Sequence, residues 1–224
     1  MSPAAVFDLD GTLVETLPDL HGALVTLCRE EALEPPRPDQ VRRMIGDGVR
    51  MLVARALMAA GRSLADGELD RLHRRFLEIY EARPYAESYP LPGAREVLEG
   101  LREQGMRLAV CTNKPQQASE AILEAFGLLP LLDLVVGGDV LPVRKPDPGH
   151  LGAVLRGLGA SPEASVMVGD SRNDLAAARG LGVPVVLLRE GYGADARDAL
   201  DPDRWITDLR ELPKALAALG VLAE

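Results

Sequence analysis

Two aspartates two residues apart, Asp8 and Asp10, stand where a short apolar run gives way to Gly11-Thr12. In an extended chain that spacing turns both carboxylates to one side, and Gly11 permits a tight exit. Neighbouring carboxylates repel, so such a pair usually shares a cation or a proton. Alone, the pattern reads equally as a turn in which Asp10 or Thr12 caps a helix. Three further clusters change its weight. Thr112-Asn113-Lys114 offers a hydroxyl, an amide and a cation, Arg144-Lys145-Pro146-Asp147 precedes a helical pattern, and Gly169-Asp170-Ser171-Arg172-Asn173-Asp174 offers two more acids. Grouped carboxylates suit Mg²⁺, which takes carboxylate and water oxygens. A compact ammonium meets a phosphate as a point charge. Of 25 basic residues only Lys114, Lys145 and Lys214 are lysines, and two of these fall in the clusters. A nucleophile candidate, a divalent cation and an anion cradle together are the equipment of phosphoryl transfer.

The elements that must position these residues are legible as apolar runs over 4–8, 107–112, 134–138, 164–170 and 183–188. Continuous runs of this length suit strands buried on both faces, as in a parallel sheet. Helical patterns alternate with them over 93–104, 116–126, 147–158 and 173–181, the last three ending at Gly127, Gly159 and Gly182, where a left-handed C-cap needs glycine. The expected fold is α/β, a Rossmann-like parallel sheet with right-handed crossovers. All four clusters then fall on the carboxyl edge of the strands, where open α/β sheets bind ligands. The stretch between Asp10 and Arg107 is far too long for one βαβ unit. It reads as an all-helical insertion, with helices over 17–31 (behind Thr16 as N-cap), 38–45, 49–60 and 66–83. The expected division is a discontinuous α/β core, 1–15 and 88–224, and a helical domain, 16–87.

The 224 residues carry a formal net charge of −9, with 47% hydrophobic and 4% aromatic residues. The acidic balance and scarcity of aromatics disfavour nucleic acid as a partner. No apolar run approaches the ~20 residues that span a bilayer. Two cysteines are too few for a disulfide framework, and no basic segment with a following apolar stretch precedes Val6. A cytoplasmic monomer or homodimer is expected.

Asp8-Leu9-Asp10-Gly11-Thr12, Thr112-Asn113, Lys145-Pro146 and Gly169-Asp170-Ser171-x-x-Asp174 resemble, in order, the four motifs of the haloacid dehalogenase superfamily of hydrolases. The helical insertion resembles that family's α-helical cap. Within the superfamily, the stretch 41–50, Thr112-Asn113-Lys114-Pro115 and Lys145-Pro146-Asp147-Pro148 look like bacterial phosphoglycolate phosphatases. The resemblance implies that Asp8 attacks phosphorus, and that Asp10 protonates the leaving group and then activates water. It implies that Thr112 and Asn113 hold phosphate oxygens and that Lys145 neutralises charge. It implies Mg²⁺ held by Asp8, Asp10 and Asp170, with Asp174 acting indirectly. It also implies a small phosphate monoester as substrate, 2-phosphoglycolate first. A sugar-phosphate phosphatase and a phosphotransferase resembling β-phosphoglucomutase stay open, as does a non-catalytic phosphate-binding module; a dehalogenase is disfavoured by Asp10.

Gly46-Asp47-Gly48 supports two readings. One is a helix–helix turn with Asp47 capping the helix from Val49. The other is a loop that closes over the site, with Arg50 as a fork-shaped donor for a substrate carboxylate. His21, His73, His150, Cys28, Cys111 and Trp205 are expected to be packing or surface residues, and Lys114 either rims the site or caps a strand.

Overall fold

The structure, a computed structural model, describes residues 3–65, 67–82, 85–193 and 199–222. Six parallel strands form one sheet in the order β5 (Leu134–Val136), β4 (Arg107–Cys111), β1 (Ala4–Phe7), β6 (Ser165–Gly169), β7 (Val185–Leu188), β8 (Arg204–Ile206). The five apolar runs are all strands. β8 is the sixth, and Trp205 in it packs against the core with the Arg189 guanidinium 5.0 Å from its ring centroid.

Strand alternation divides the core into two layers. Ala5 and Phe7 pack with Leu98 and Leu101 of α5 (Ala94–Glu103), Ile122 of α6 (Gln116–Ala125) and Leu216 of α9 (Leu212–Ala218). Ala4 and Val6 pack on the other face with Leu151 and Leu155 of α7 (Pro148–Leu158) and Ala177 of α8 (Arg172–Arg179). The central strand is thus covered on both sides, which is why its residues are apolar without alternation. Asp147 caps α7 as its position suggests, accepting from the Gly149 N–H at 2.7 Å.

Four helices lie between the short strands β2 (Val14–Glu15) and β3 (Tyr89–Pro90), which pair antiparallel. They are α1 (Leu17–Glu30), α2 (Pro38–Arg42), α3 (Val49–Ala59) and α4 (Glu68–Ala82). Asp66 and Arg83, the expected ends of the last helix, lie outside the described residues. These helices share their own apolar cluster: Leu20, Leu24 and Leu27 meet Leu52, Val53 and Leu57, with Leu72 and Phe76 closing it. Thr16 stands at the N-cap of α1 as expected, but without a side-chain capping bond; its buried hydroxyl has no partner among the described residues. The Thr16 and Leu17 N–H groups donate instead to the Tyr192 hydroxyl at 2.9 and 3.0 Å. Among the described residues no helix is long and apolar enough to cross a membrane.

Candidate active site

The carboxyl ends of β1, β4 and β6 open onto one small cavity of about 30 Å³. Asp8, Asp10, Thr112, Asn113, Lys114 and Asp170 line it from the sheet, and Gly46, Gly48, Leu20, Ile45, Val49 and Leu52 from the helices. The helices therefore already close on the sheet edge.

Lys145 organises the floor. Its side chain is 1% exposed and its ammonium lies 3.0 Å from Asp8 and 2.6 Å from Asp174. Asp174 has little capacity left. Its second oxygen accepts from the Asp170 and Ser171 N–H groups at 3.2 and 3.1 Å and from the Ser171 hydroxyl at 2.7 Å. Asp8 is differently placed. Burial pushes its carboxyl up to about 7 against the pull of Lys145, and the charge of Asp174 adds to the rise. Carboxylate oxygens of Asp8, Asp170 and Asp174 all lie within 4.8 Å of one another, an arrangement able to hold a metal ion. Asp170 also accepts from the Tyr192 N–H at 2.5 Å. Gly11, at φ +80°, makes this crowding feasible: a Cβ there would stand 2.5 Å from an Asp170 oxygen.

Asp10 faces a second ammonium. Lys114 Nζ lies 3.2 Å from Asp10 and donates to the Tyr80 hydroxyl of α4 at 3.0 Å, with its own residue 3% exposed. Burial opposes the charge of Lys114, but Asp10 and Tyr80 outweigh it and hold the ammonium well above its ordinary range. Lys114 is thus a cavity wall, not a strand cap.

The turn 46–48 is a docking loop. The Gly46 carbonyl accepts from the Asn113 amide at 2.8 Å and the Asn173 amide at 3.0 Å, so both motif ends grip it. Gly46 and Gly48 take φ of +122° and +88°, open to glycine at little cost. Asp47 does not cap α3. Its carboxylate pairs with Arg55 and accepts from the Asn173 amide at 2.7 Å. Arg50 is the larger departure from expectation. It lies outside the cavity lining, pairs with Asp70 of α4 at 2.9 Å and is 47% exposed in its side chain. Val49 lines the cavity; one residue on, ~100° round the helix, Arg50 turns to solvent. Sequence reasoning missed Tyr80, Tyr192 and Asn173. Tyr80 follows Leu72 and Phe76 at four-residue intervals and reads as a core stripe, so only its hydroxyl tip distinguishes it.

The remaining candidates are set aside by their surroundings. Cys111 is buried in the sheet, and burial pushes its thiol up to about 12. His21 meets the Pro36 carbonyl at 3.0 Å. His150 is buried, its Nδ1 accepting from the Lys145 N–H at 3.3 Å, and burial together with the Lys145 charge pulls its pKa from 6.5 down to about 4. The folded ring therefore resists a proton that the unfolded chain accepts. The associated stability is present above pH 6.5 and is lost as pH falls towards 4. His150→Gln, which keeps an acceptor, should lack this loss. The melting temperature of the native protein is expected to fall relative to the variant between pH 7 and 4; a constant gap would show that His150 does not titrate this way.

A family model for haloacid dehalogenase-like hydrolases matches residues 5–188. The chain is 43% identical to a phosphoglycolate phosphatase of Caulobacter vibrioides, over 95% of this chain and 90% of that one. It is 46% identical to one of Rhodospirillum rubrum, over 87% and 83%. Among solved structures, a predicted phosphoglycolate phosphatase from Haemophilus somnus superposes with a TM-score of 0.89 at 34% identity, covering 96% of this chain and 97% of that one. The matched segment runs from β1 to the end of β7 and so contains every cluster that meets at the cavity; the chain belongs to the haloacid dehalogenase-like hydrolase family.

Proposed function

We propose that this protein is a Mg²⁺-dependent phosphatase of small phosphate monoesters, that 2-phosphoglycolate is its substrate, and that it works in the cytoplasm. The observation that carries the reading is the Asp8 carboxylate, 3.0 Å from the Lys145 ammonium, at the floor of a cavity that Asp10, Thr112 and Asn113 share. The names borne by the relatives support the choice of ester. In this reading residues 1–15 and 88–224 are the catalytic core and 16–87 the cap that shuts it.

The donor set fits a magnesium ion. Asp8 and Asp170 present hard oxygens, and the raised affinity of Asp8 for a proton marks a carboxylate short of positive charge. Asp8, Asp170 and the Asp10 carbonyl would hold the ion, with Asp174, already saturated, keeping Lys145 and the Asp170 backbone in place. When bound, the ion supplies neutralising charge to the phosphoryl oxygens. Asp8 attacks phosphorus and becomes an aspartyl phosphate, breaking the ester bond. Asp10 gives the leaving alkoxide a proton. It then takes one from the water that splits the aspartyl phosphate, returning Asp8 and releasing inorganic phosphate. Thr112 and Asn113 hold phosphoryl oxygens, and Lys145 balances the charge on Asp8 throughout. Closure of the cap excludes bulk water from the intermediate.

The test is phosphate release from a panel of esters with Mg²⁺ and with chelator. Preference for 2-phosphoglycolate over sugar phosphates, abolished by chelation, is expected; a better sugar phosphate would overturn the substrate, and no release from any ester the activity. Asp10 has its own signature. Asp10→Asn should cost about 10²–10⁴-fold on alkyl phosphates, the usual worth of a general acid, and far less on p-nitrophenyl phosphate, whose phenolate leaves without a proton. Equal losses on both would reduce Asp10 to a positioning role.

A further inference from the structure

Two ammonium groups are buried at the site, and they are not equivalent. Lys145 stands between two carboxylates, Asp8 at 3.0 Å and Asp174 at 2.6 Å, and does not line the cavity. Lys114 has a single carboxylate partner, Asp10 at 3.2 Å, and one neutral partner, the Tyr80 hydroxyl at 3.0 Å. An ammonium carries three N–H donors. Two are used, and nothing among the described residues takes the third, although the residue is 3% exposed and lines the cavity.

The rest of the wall narrows what that donor can meet. Asp8, Asp10 and Asp170 repel any second anion that approaches the sheet edge without a cation to receive it. The cap contributes apolar Leu20, Ile45, Val49 and Leu52, with backbone at Gly46 and Gly48, and no charged side chain. Arg50, the cap cation expected to serve a substrate carboxylate, is committed to Asp70 outside the cavity. Sugar hydroxyls would find no polar partner on those four aliphatic side chains.

We propose that Lys114 is the specificity-determining residue that binds a carboxylate on the organic part of the substrate, so that the site selects short phosphate esters ending in a carboxylate. This rests on the phosphatase reading and moves recognition from the cap to the core. Tyr80 is the cap's share: it reaches from α4 to the Lys114 ammonium and lies with its ring centroid 4.9 Å from it. The cation therefore lies at the seam between the two parts. The scarcity of lysine in this chain acquires a reason here, since a compact ammonium fits beside Asp10 where a planar guanidinium would fill the cavity.

The experiment uses matched ligands that differ in the carboxylate. Turnover is measured on 2-phosphoglycolate and ethyl phosphate. Binding is measured by calorimetry with 3-phosphonopropionate and propylphosphonate, which are not hydrolysed, both in Mg²⁺ buffer. The native protein is expected to favour the carboxylate member of each pair by tenfold or more. Lys114→Gln keeps an N–H donor for Asp10 and Tyr80 but removes the charge. In that variant both ratios should fall at least tenfold, with the change on 2-phosphoglycolate seated in KM. Tyr80→Phe, which leaves the ammonium in place, should retain the preference. Unchanged ratios in Lys114→Gln, with equal losses on both members of a pair, would overturn the assignment and leave Lys114 as a support for Asp10. So would equal binding of the two phosphonates by the native protein, a measurement that does not depend on any variant folding. The two readings fail separately. Absence of turnover on every ester with the binding preference intact strikes the phosphatase alone; turnover without a carboxylate preference strikes Lys114 alone.

Discussion

Asp8→Asn is expected to lower turnover by roughly 10⁴–10⁶-fold, the scale on which loss of a catalytic nucleophile is felt, without lowering the melting temperature in chelator. The two halves of this result have one physical source. The amide has the shape of the carboxylate and keeps an acceptor for the Leu9 N–H, which Asp8 now receives at 2.7 Å. It lacks the charge that attacks phosphorus. That charge is an expense to the fold, because burial pushes the Asp8 carboxyl up to about 7, so neutralising it removes a strained ion and leaves Lys145 paired with Asp174 at 2.6 Å. Steady-state kinetics beside a thermal melt decide the matter. Residual turnover within a hundredfold of the native protein, with an unchanged melt, would rule out a covalent role for Asp8.

The second large effect falls on stability and activity together. Lys145→Met leaves Asp8 and Asp174 buried, 8% and 0% exposed, with no cation between them. Removing one partner of a buried ion pair costs about 3–5 kcal/mol, which for a chain of this size is roughly 6–20 °C in melting temperature. Activity should be lost with it. Lys145→Arg is the sharper comparison, since it keeps the charge. The planar guanidinium is larger than the space a 1% exposed side chain occupies, and overpacking of that kind costs about 1–3 kcal/mol. Asp8 would be pushed off its line to phosphorus, so kcat should fall by at least a hundredfold although net charge is unchanged. An arginine variant within threefold of native kcat and melting temperature would show that any cation suffices there.

The core half of the site was legible because its physics is local. Strands covered on both faces must be apolar throughout, so their ends are marked by the first polar residues, and those residues are the ones that meet at the cavity. Asp8, Thr112 and Asp170 follow from that rule alone, whereas Lys145, in the loop between β5 and α7, was marked by its place before a helical pattern and its rarity as a lysine; the motif order adds their family. The short β8 was visible only through Trp205, because three residues on an edge leave no run to read. Of the helical half only the Gly46–Gly48 loop was legible, because the contribution of the rest depends on how one element docks on another. Val49 and Arg50 are neighbours in the chain and belong to opposite surroundings. Asp47 has the type of an N-cap, yet Arg55 and Asn173, distant in sequence, claim its carboxylate. Tyr80 and Lys114 are 34 residues apart and meet only when α4 lies over the end of β4. Lys114 carried a usable signal, its rarity as a lysine, but rarity does not say what the ammonium faces.

The antiparallel pairing of Val14 with Pro90 and Glu15 with Tyr89 brings the entry and exit of the helical segment side by side. The segment is therefore a loop whose ends are already closed by the sheet's own hydrogen bonding. The entropy of closing such a loop grows only as the logarithm of its length, about 0.6 kcal/mol for each doubling. The α/β part is in consequence nearly indifferent to how many residues intervene between Glu15 and Tyr89. Insertions, deletions or a wholly different helical arrangement could be exchanged there at small cost in loop closure, while the order of the six strands stays untouched.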